Sequence, residues 1–253
     1  MISLSRSDLP PEVEARLSPR ALQLQQCLAN GEVPPPAVLA AYKDPLLKQH
    51  LVAEANGKCA YCESKITHVY FGDVEHIKPK GVFPGERLSI ENLCLACAPC
   101  NNAKGEFWDE ATPLLNPYVD HPEDELLAFG TYLIRRHGSE RARLSIERLA
   151  LNRQPLLERR RERFQLLQPL ADQYAQTPPG AVRDLIKGEL MRQAADDAEY
   201  ALMVRAFVQA ACSITVPPKL GAPANDVDSW MSGHALAHDR PRLLSAMRRV
   251  LAP

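Results

Sequence analysis

The chain has 253 residues, 45% hydrophobic and 24% charged, with a formal net charge of -1. That length and composition suit a soluble protein with a real core, and exclude a disordered or fibrous chain. The near-neutral balance excludes recognition of nucleic acid by a global basic excess, so any such contact must come from local patches or a partner. No stretch approaches the roughly 20 apolar residues of a membrane span. Residues 1–8 lack the apolar run of a secretory signal, so a cytoplasmic location is expected.

The first third reads as a helical extension over residues 1–55. Ser18-Pro19 is a helix-start signal and Asn30-Gly31 a stop, with Leu17, Ala21, Leu24 and Leu28 at helical spacing between them. Val33-Pro34-Pro35-Pro36 is a connection. Asp44-Pro45 starts a second helix, whose stripe is Leu47, Leu51 and Val52, and Asn56-Gly57 ends it.

From residue 56 to about 120 the helical period disappears and Gly, Pro, Cys and Asn dominate. The run from Tyr70 to Ile77 suits a strand, Lys78 to Arg87 a loop, Leu93-Cys94-Leu95 a second strand, and Ala98 to Trp108 a helix. Residues 121–253 read as helical again, through Leu144, Leu149, Leu156, Leu157 and Phe164, and then from Val182 to Ala211. A linker near Val216 to Asp226 precedes a last short helix through Leu243 and Leu244. The expected class is mainly α with an embedded, zinc-stapled ββα module.

Five of the seven cysteines fall between Cys59 and Cys100. In a reducing compartment such clustering points to metal rather than disulfides. Cys59-Ala60-Tyr61-Cys62 and Cys97-Ala98-Pro99-Cys100 are two CxxC knuckles, which together complete a tetrahedral Zn²⁺ site. Four thiolates leave no open position for water, so this zinc is structural. Cys94 reads as a core residue of the second strand, and Cys27 and Cys212 as small buried apolar residues.

Between the knuckles lie Glu75-His76-Ile77-Lys78-Pro79 and Glu91-Asn92-Leu93, and Asn101-Asn102-Ala103-Lys104 follows Cys100. These blocks resemble those of an HNH, or ββα-metal, nuclease. The resemblance implies Glu75 and Asn101 as ligands of a catalytic divalent metal, His76 as general base and Asn92 as brace of the connecting loop. Glu stands at 75 where Asp is commoner in the family, and Asn at 101 where His is common. Both keep an oxygen donor, which favours Mg²⁺ or Mn²⁺. Lys78, Lys80 and Lys104 are candidates to hold phosphate oxygens, with solvated charge as the bland alternative. Adjacent strand residues point opposite ways, so a regular strand cannot aim both Glu75 and His76 at one metal, and a twisted or bulged strand end is expected to present both.

A longer resemblance rests on Cys59 to Glu63, Asp73 to Lys80, Leu114-Leu115-Asn116-Pro117-Tyr118 and Ile146 to Arg153. These are similar to the PtuB family, HNH subunits of bacterial Septu anti-phage systems and related retrons. That likeness implies DNA cleavage in defence with an ATPase partner, PtuA. HNH cleavage of RNA such as tRNA, and a non-catalytic zinc-knuckle binding module, are the rival readings. From Arg135 to Phe164, ten arginines against four glutamates leave a formal +6, which suits either DNA phosphates or a solvated helix face with internal pairing.

Overall fold

The computed structural model describes residues 1–66 and 72–216. The expected start of the first strand at Tyr70, and the expected linker and last helix beyond residue 216, lie outside the described residues. Among those described, no helix is long and apolar enough to cross a membrane. The fold is mostly helical.

Helix α1 spans Pro11–Ala29, starting about two helical turns before the expected start at Pro19. Pro10-Pro11 is the signal that operates, with Pro11 at a first-turn position where a missing N–H costs nothing. Pro19 then lies inside the helix. The Asn30-Gly31 stop holds, with Gly31 at φ +68°. One-turn α2 (Pro36–Leu39) and a single 3-10 turn at Ala41–Lys43 lead into α3 (Pro45–Glu54). Asp44 caps α3 as its sequence predicts, its Oδ1 accepting from the Leu46 and Leu47 amides at 2.8 and 3.3 Å. Leu47 and Leu51 are wholly buried.

Strands β1 (Asp73–His76) and β2 (Leu93–Ala96) pair antiparallel, Glu75 opposite Cys94 and His76 opposite Leu93. Every residue of β2 is buried. Helix α4 (Ala98–Lys104) starts directly after the second knuckle and packs on β1. It stops four residues short of Trp108, because Gly105 turns the chain at φ +53°.

The region after residue 121 departs from the all-helical expectation. One-turn α5 (Pro122–Glu125) is followed by an antiparallel hairpin, β3 (Leu126–Phe129) and β4 (Tyr132–Arg135). The hairpin turns at Gly130-Thr131 with Gly130 at φ +55°. Its four-residue strands are too short to give a clear period of two. Helix α6 (Glu140–Arg148), long α7 (Gln154–Gln176), α8 (Ala181–Gln193) and α9 (Ala201–Cys212) complete the body. The helical region expected from Val182 to Ala211 is two helices, separated by residues 194–200, a break that ends at Tyr200, which is left-handed at φ 57°.

A buried lysine ties this body to the first knuckle. Lys58, 1% exposed, donates through Nζ to the carbonyl oxygens of Asp196 and Ala198 between α8 and α9. Its burial lowers the pKa, and Glu63 and Asp196 act against that shift. Replacing Lys58 by Met removes the donor and strands both carbonyls, a loss of about 1–3 kcal/mol. The urea midpoint of Lys58→Met is expected to fall accordingly, with an unchanged slope.

Candidate active site and metal centre

The first knuckle is a tight turn closed on itself. The Cys59 amide donates to Ser64 O at 2.9 Å and the Glu63 amide to Cys59 O at 3.0 Å. Glu63 sits at φ 64°, a strained position for a side chain that is itself buried. The Ala60 amide reaches Leu95 O at 2.9 Å, which registers the knuckle against β2. The second knuckle is the β2–α4 junction. Its geometry brings the four sulfurs of Cys59, Cys62, Cys97 and Cys100 within 4.8 Å of one another.

This donor set fits zinc. A tetrahedron with metal–sulfur bonds of about 2.3 Å has sulfurs about 3.8 Å apart, and Cys62 Sγ and Cys97 Sγ are 3.7 Å apart. Cys94 stands outside the set. Its thiol donates to the Tyr61 hydroxyl at 3.6 Å, and burial pushes its pKa up to about 12. It is therefore a neutral core residue, as its spacing from the knuckles predicts.

A residue to which the motifs give no role completes the centre. Arg153, the residue before α7, donates to Cys100 Sγ at 3.4 Å and to Cys97 Sγ and Cys62 Sγ at 3.7 and 3.9 Å. Burial opposes its charge, yet the cysteine sulfurs outweigh burial and raise its pKa. Four thiolates around one divalent ion leave a formal charge of about -2, and the guanidinium offsets part of it. The only signal for this in the sequence is Asn152-Arg153 in the arginine-rich segment, where nothing marks one arginine from the others.

The rest of that segment is largely committed inside the molecule. Arg143 pairs with Glu140 and Glu147, Arg159 with Glu162, and Arg141 with Asp120. Arg160 is buried at 1% exposure and donates to Thr131 O at 3.0 Å. The glutamates at 140, 147 and 162 are already counted in the formal +6, so it is Arg141 on Asp120, Arg153 on the cysteine sulfurs and the buried Arg160 that take up part of that excess.

Strand β1 divides its side chains between two faces. Asp73 and Glu75 face α4, where Asn101 Nδ2 donates to Asp73 Oδ2 at 3.2 Å and Lys104 Nζ lies 2.8 Å from Glu75 Oε1. One helical turn of α4, Asn101 to Lys104, therefore matches the two-residue step of the strand. The Lys104 ammonium is aligned as a donor to His76 O, at 2.8 Å. Toward Glu75 it makes a charge contact without an aligned hydrogen bond, and Glu75 Oε1 remains a buried acceptor without a donor. Burial raises the Glu75 pKa, and Lys104 opposes the rise.

His76 turns the other way, toward the 77–92 loop. Its Nε2 lies 3.0 Å from Arg87 O, so the tautomer carrying its proton on Nε2 makes this bond. The Tyr42 ring packs edge-on against the imidazole, centroids 4.7 Å apart. Burial pushes the His76 pKa down to about 4, so the ring is neutral at neutral pH, with Nδ1 as its basic atom.

Asn92 is the brace of that loop. Its Oδ1 accepts from the Lys78 amide at 2.7 Å, and its Nδ2 donates to Lys78 O and Glu86 O at 3.0 and 3.2 Å. The buried amide thereby fixes both ends of the loop that carries Arg87 O. Of the candidate phosphate-binding lysines, Lys78 pairs with Glu86 at 2.8 Å and lies over the Phe83 ring, while Lys80 lies over Tyr42. Both are partly exposed. Lys104 departs from its expected role: at 4% exposure it is enclosed between Glu75 and the His76 carbonyl.

Residues 59–107 match the family model described as HNH endonuclease. The chain is also similar to Septu protein PtuB of Bacillus thuringiensis, 30% identical over 130 residues, covering 51% of this chain and 47% of the relative. A second relative, Septu protein PtuB of Bacillus mycoides (strain KBAB4), is 34% identical over 151 residues, covering 47% of this chain and 51% of the relative. The chain spans about half the length of these relatives. The HNH similarity thus lies within residues 59–107, and the homology to PtuB extends over about half of the chain. Both resemblances drawn from the motifs are met.

Removing the Arg153 charge is expected to loosen the metal centre. The rate of zinc transfer from Arg153→Gln to a chromogenic chelator should rise several-fold over wild type, with Arg153→Lys between them. Equal rates in all three proteins would show that the guanidinium contributes nothing to metal retention.

Proposed function

We propose that this protein is a metal-dependent endonuclease that hydrolyses DNA phosphodiester bonds. The observation that carries the reading is a neutral histidine, fixed by a backbone carbonyl, on a strand whose next residue back is a buried carboxylate ion-paired to Lys104. A structural zinc knuckle has no need of that pair.

The donors near β1 suit a hard cation. Glu75 offers a buried carboxylate, its Oε1 lying 2.8 Å from the Lys104 ammonium. Asn101 uses Nδ2 on Asp73, so Oδ1 is the atom it offers. Oxygen donors of this kind select Mg²⁺ or Mn²⁺ over softer metals. Glu75 and Asn101 would hold such an ion, which when bound would supply charge relief to the scissile phosphate and the departing oxygen.

The chain's own residues do the remainder. His76, neutral and with Nε2 engaged by Arg87 O, takes a proton from water at Nδ1. Asn92 keeps the loop that carries Arg87 O in place and so holds the imidazole in that tautomer. Lys104, through the His76 carbonyl and Glu75, locks the strand end against α4. Lys78 and Lys80, partly exposed on the loop, are the side chains able to meet phosphate oxygens without giving sequence information.

The likeness to PtuB supports a role as the effector nuclease of an anti-phage system, working in the cytoplasm with an ATPase of the PtuA kind. The same chemistry acts on RNA, so the substrate is decided by digestion. Purified protein is expected to nick or linearise supercoiled plasmid with Mg²⁺ or Mn²⁺, and His76→Ala to lose at least about 100-fold in rate. Cleavage of tRNA with intact plasmid would move the assignment to RNA. Equal cleavage by wild type and His76→Ala would place the chemistry elsewhere.

A further inference from the structure

The residues that hold His76 do not all come from the HNH domain. We propose that the N-terminal extension completes the active site, with Tyr42 as a positioning residue for the His76 imidazole; this rests on the nuclease reading above.

Tyr42 sits in the single 3-10 turn between α2 and α3, outside the 59–107 segment that matches the family model. Its ring and the imidazole meet edge to face, at 76° between planes and 4.7 Å between centroids. This is a favoured aromatic arrangement, and it fixes the plane of a ring whose only other described restraint is one bond to Arg87 O. The other face of this small cluster is cationic. Lys80 Nζ lies 5.4 Å from the Tyr42 centroid and Lys43 Nζ 5.8 Å from it, within the range of cation–π attraction. Tyr42 is half-buried, while His76 beneath it is buried.

The turn bearing Tyr42 is itself held rigid. It is followed immediately by the Asp44 cap of α3, and Asp44 pairs with Arg16 of α1 at 3.4 Å. The same extension grips the opposite wall of the site. Gln25 of α1 donates to Gly85 O at 2.7 Å, in the short helical turn Pro84–Glu86 that leads directly into Arg87. Arg6 donates to Leu93 O at 2.5 Å, on the residue paired with His76. The imidazole is thus clamped between a ring on one side and a carbonyl on the other, and residues 1–55 brace both. A histidine base works only when its lone pair is aimed, and small misplacements cost large factors in rate.

The ring, rather than the hydroxyl, does the positioning. Full-length Tyr42→Ala is therefore expected to lower kcat about 10- to 100-fold with KM nearly unchanged, and Tyr42→Phe to restore most of the rate. Tyr42→Leu keeps bulk without a ring and should group with Tyr42→Ala; it is the variant to rely on if the alanine protein fails to fold. Wild-type kcat in Tyr42→Leu or Tyr42→Ala would overturn the proposal. So would a loss that appears only in KM, or a Tyr42→Phe protein as slow as Tyr42→Ala.

A second measurement is independent of cleavage. In histidine-labelled protein, the ring-proton resonances of His76, assigned from their absence in His76→Ala, carry the ring-current shift of Tyr42. They should move in Tyr42→Ala and stay in Tyr42→Phe. Unmoved resonances in Tyr42→Ala would overturn the proposal whatever the activity. Wild-type protein that cleaves no nucleic acid would count against the nuclease reading, and this spectrum alone would then decide the contact.

Discussion

Four cysteine sulfurs brought within 4.8 Å of one another inside a hydrophobic cluster are the constraint on which the rest of this structure depends. Each sulfur that binds a metal does so as a thiolate, and a buried cluster of negative charge is tolerable only with cations against it. Zinc held there would supply most of that compensation, and Arg153 contributes a further share. Around the first knuckle the other segments converge. Ser64 meets the Tyr200 hydroxyl at 3.0 Å, Lys65 N donates to Glu199, and Glu63 pairs with the Met1 ammonium and accepts from the Leu202 amide. Helix α9, the residues leading into it and the N-terminal segment are thereby anchored to one turn of chain, Lys58 to Lys65. Stability of the helical body and occupancy of the metal site are consequently linked quantities.

The second organising fact is the alternation of β1. A strand cannot aim adjacent residues at the same point, and here it does not: Glu75 goes to α4 and His76 to the loop. The strand end reconciles them through its backbone. Lys104 touches both the Glu75 carboxylate and the His76 carbonyl, so the carboxylate face and the imidazole-bearing residue are tied at one ammonium. Its enclosure is a better use of a lysine in this position than a phosphate contact. An unpaired carboxylate as buried as Glu75 would pick up a proton, and the neighbouring cation acts against this.

Much of this is legible from residue types and spacing. The knuckles, the ββα order and the Asp44 cap follow from local signals, because each is made by residues near one another in sequence or by a metal with fixed geometry, whereas the brace at Asn92 is what the HNH resemblance implies. Cys94 is separable from the ligands because using it would leave Cys100 unpaired. What is not legible depends on long-range packing. Arg153 reaches sulfurs 53 to 91 residues away, and Tyr42 meets His76 from a different helical segment altogether. The start of α1 is misplaced because two Xaa-Pro pairs, Pro10-Pro11 and Ser18-Pro19, compete, and a proline inside a helix is read as a boundary. The β3–β4 hairpin escapes because Leu127, Phe129, Tyr132 and Ile134 are apolar yet exposed, which breaks the alternation that marks a half-buried strand.

The charge balance of the chain takes on a different meaning once its arginines are placed. A formal +6 between Arg135 and Phe164 in a chain of net -1 reads equally as a nucleic-acid surface or a solvated helix face. In the fold, Arg141, Arg143 and Arg159 neutralise acidic neighbours, Arg153 faces the cysteine sulfurs and Arg160 is buried. These side chains stabilise the helical body rather than advertise a ligand. The cations whose charge acts on the His76 imidazole are Lys80, Arg87 and Lys104, of which Lys104 is enclosed and Lys80 lies over the Tyr42 ring. A phosphate backbone approaching the proposed base would meet this small group first, so attraction would be short-ranged and readily screened by salt. A surface built this way exerts little long-range attraction on a polyanion.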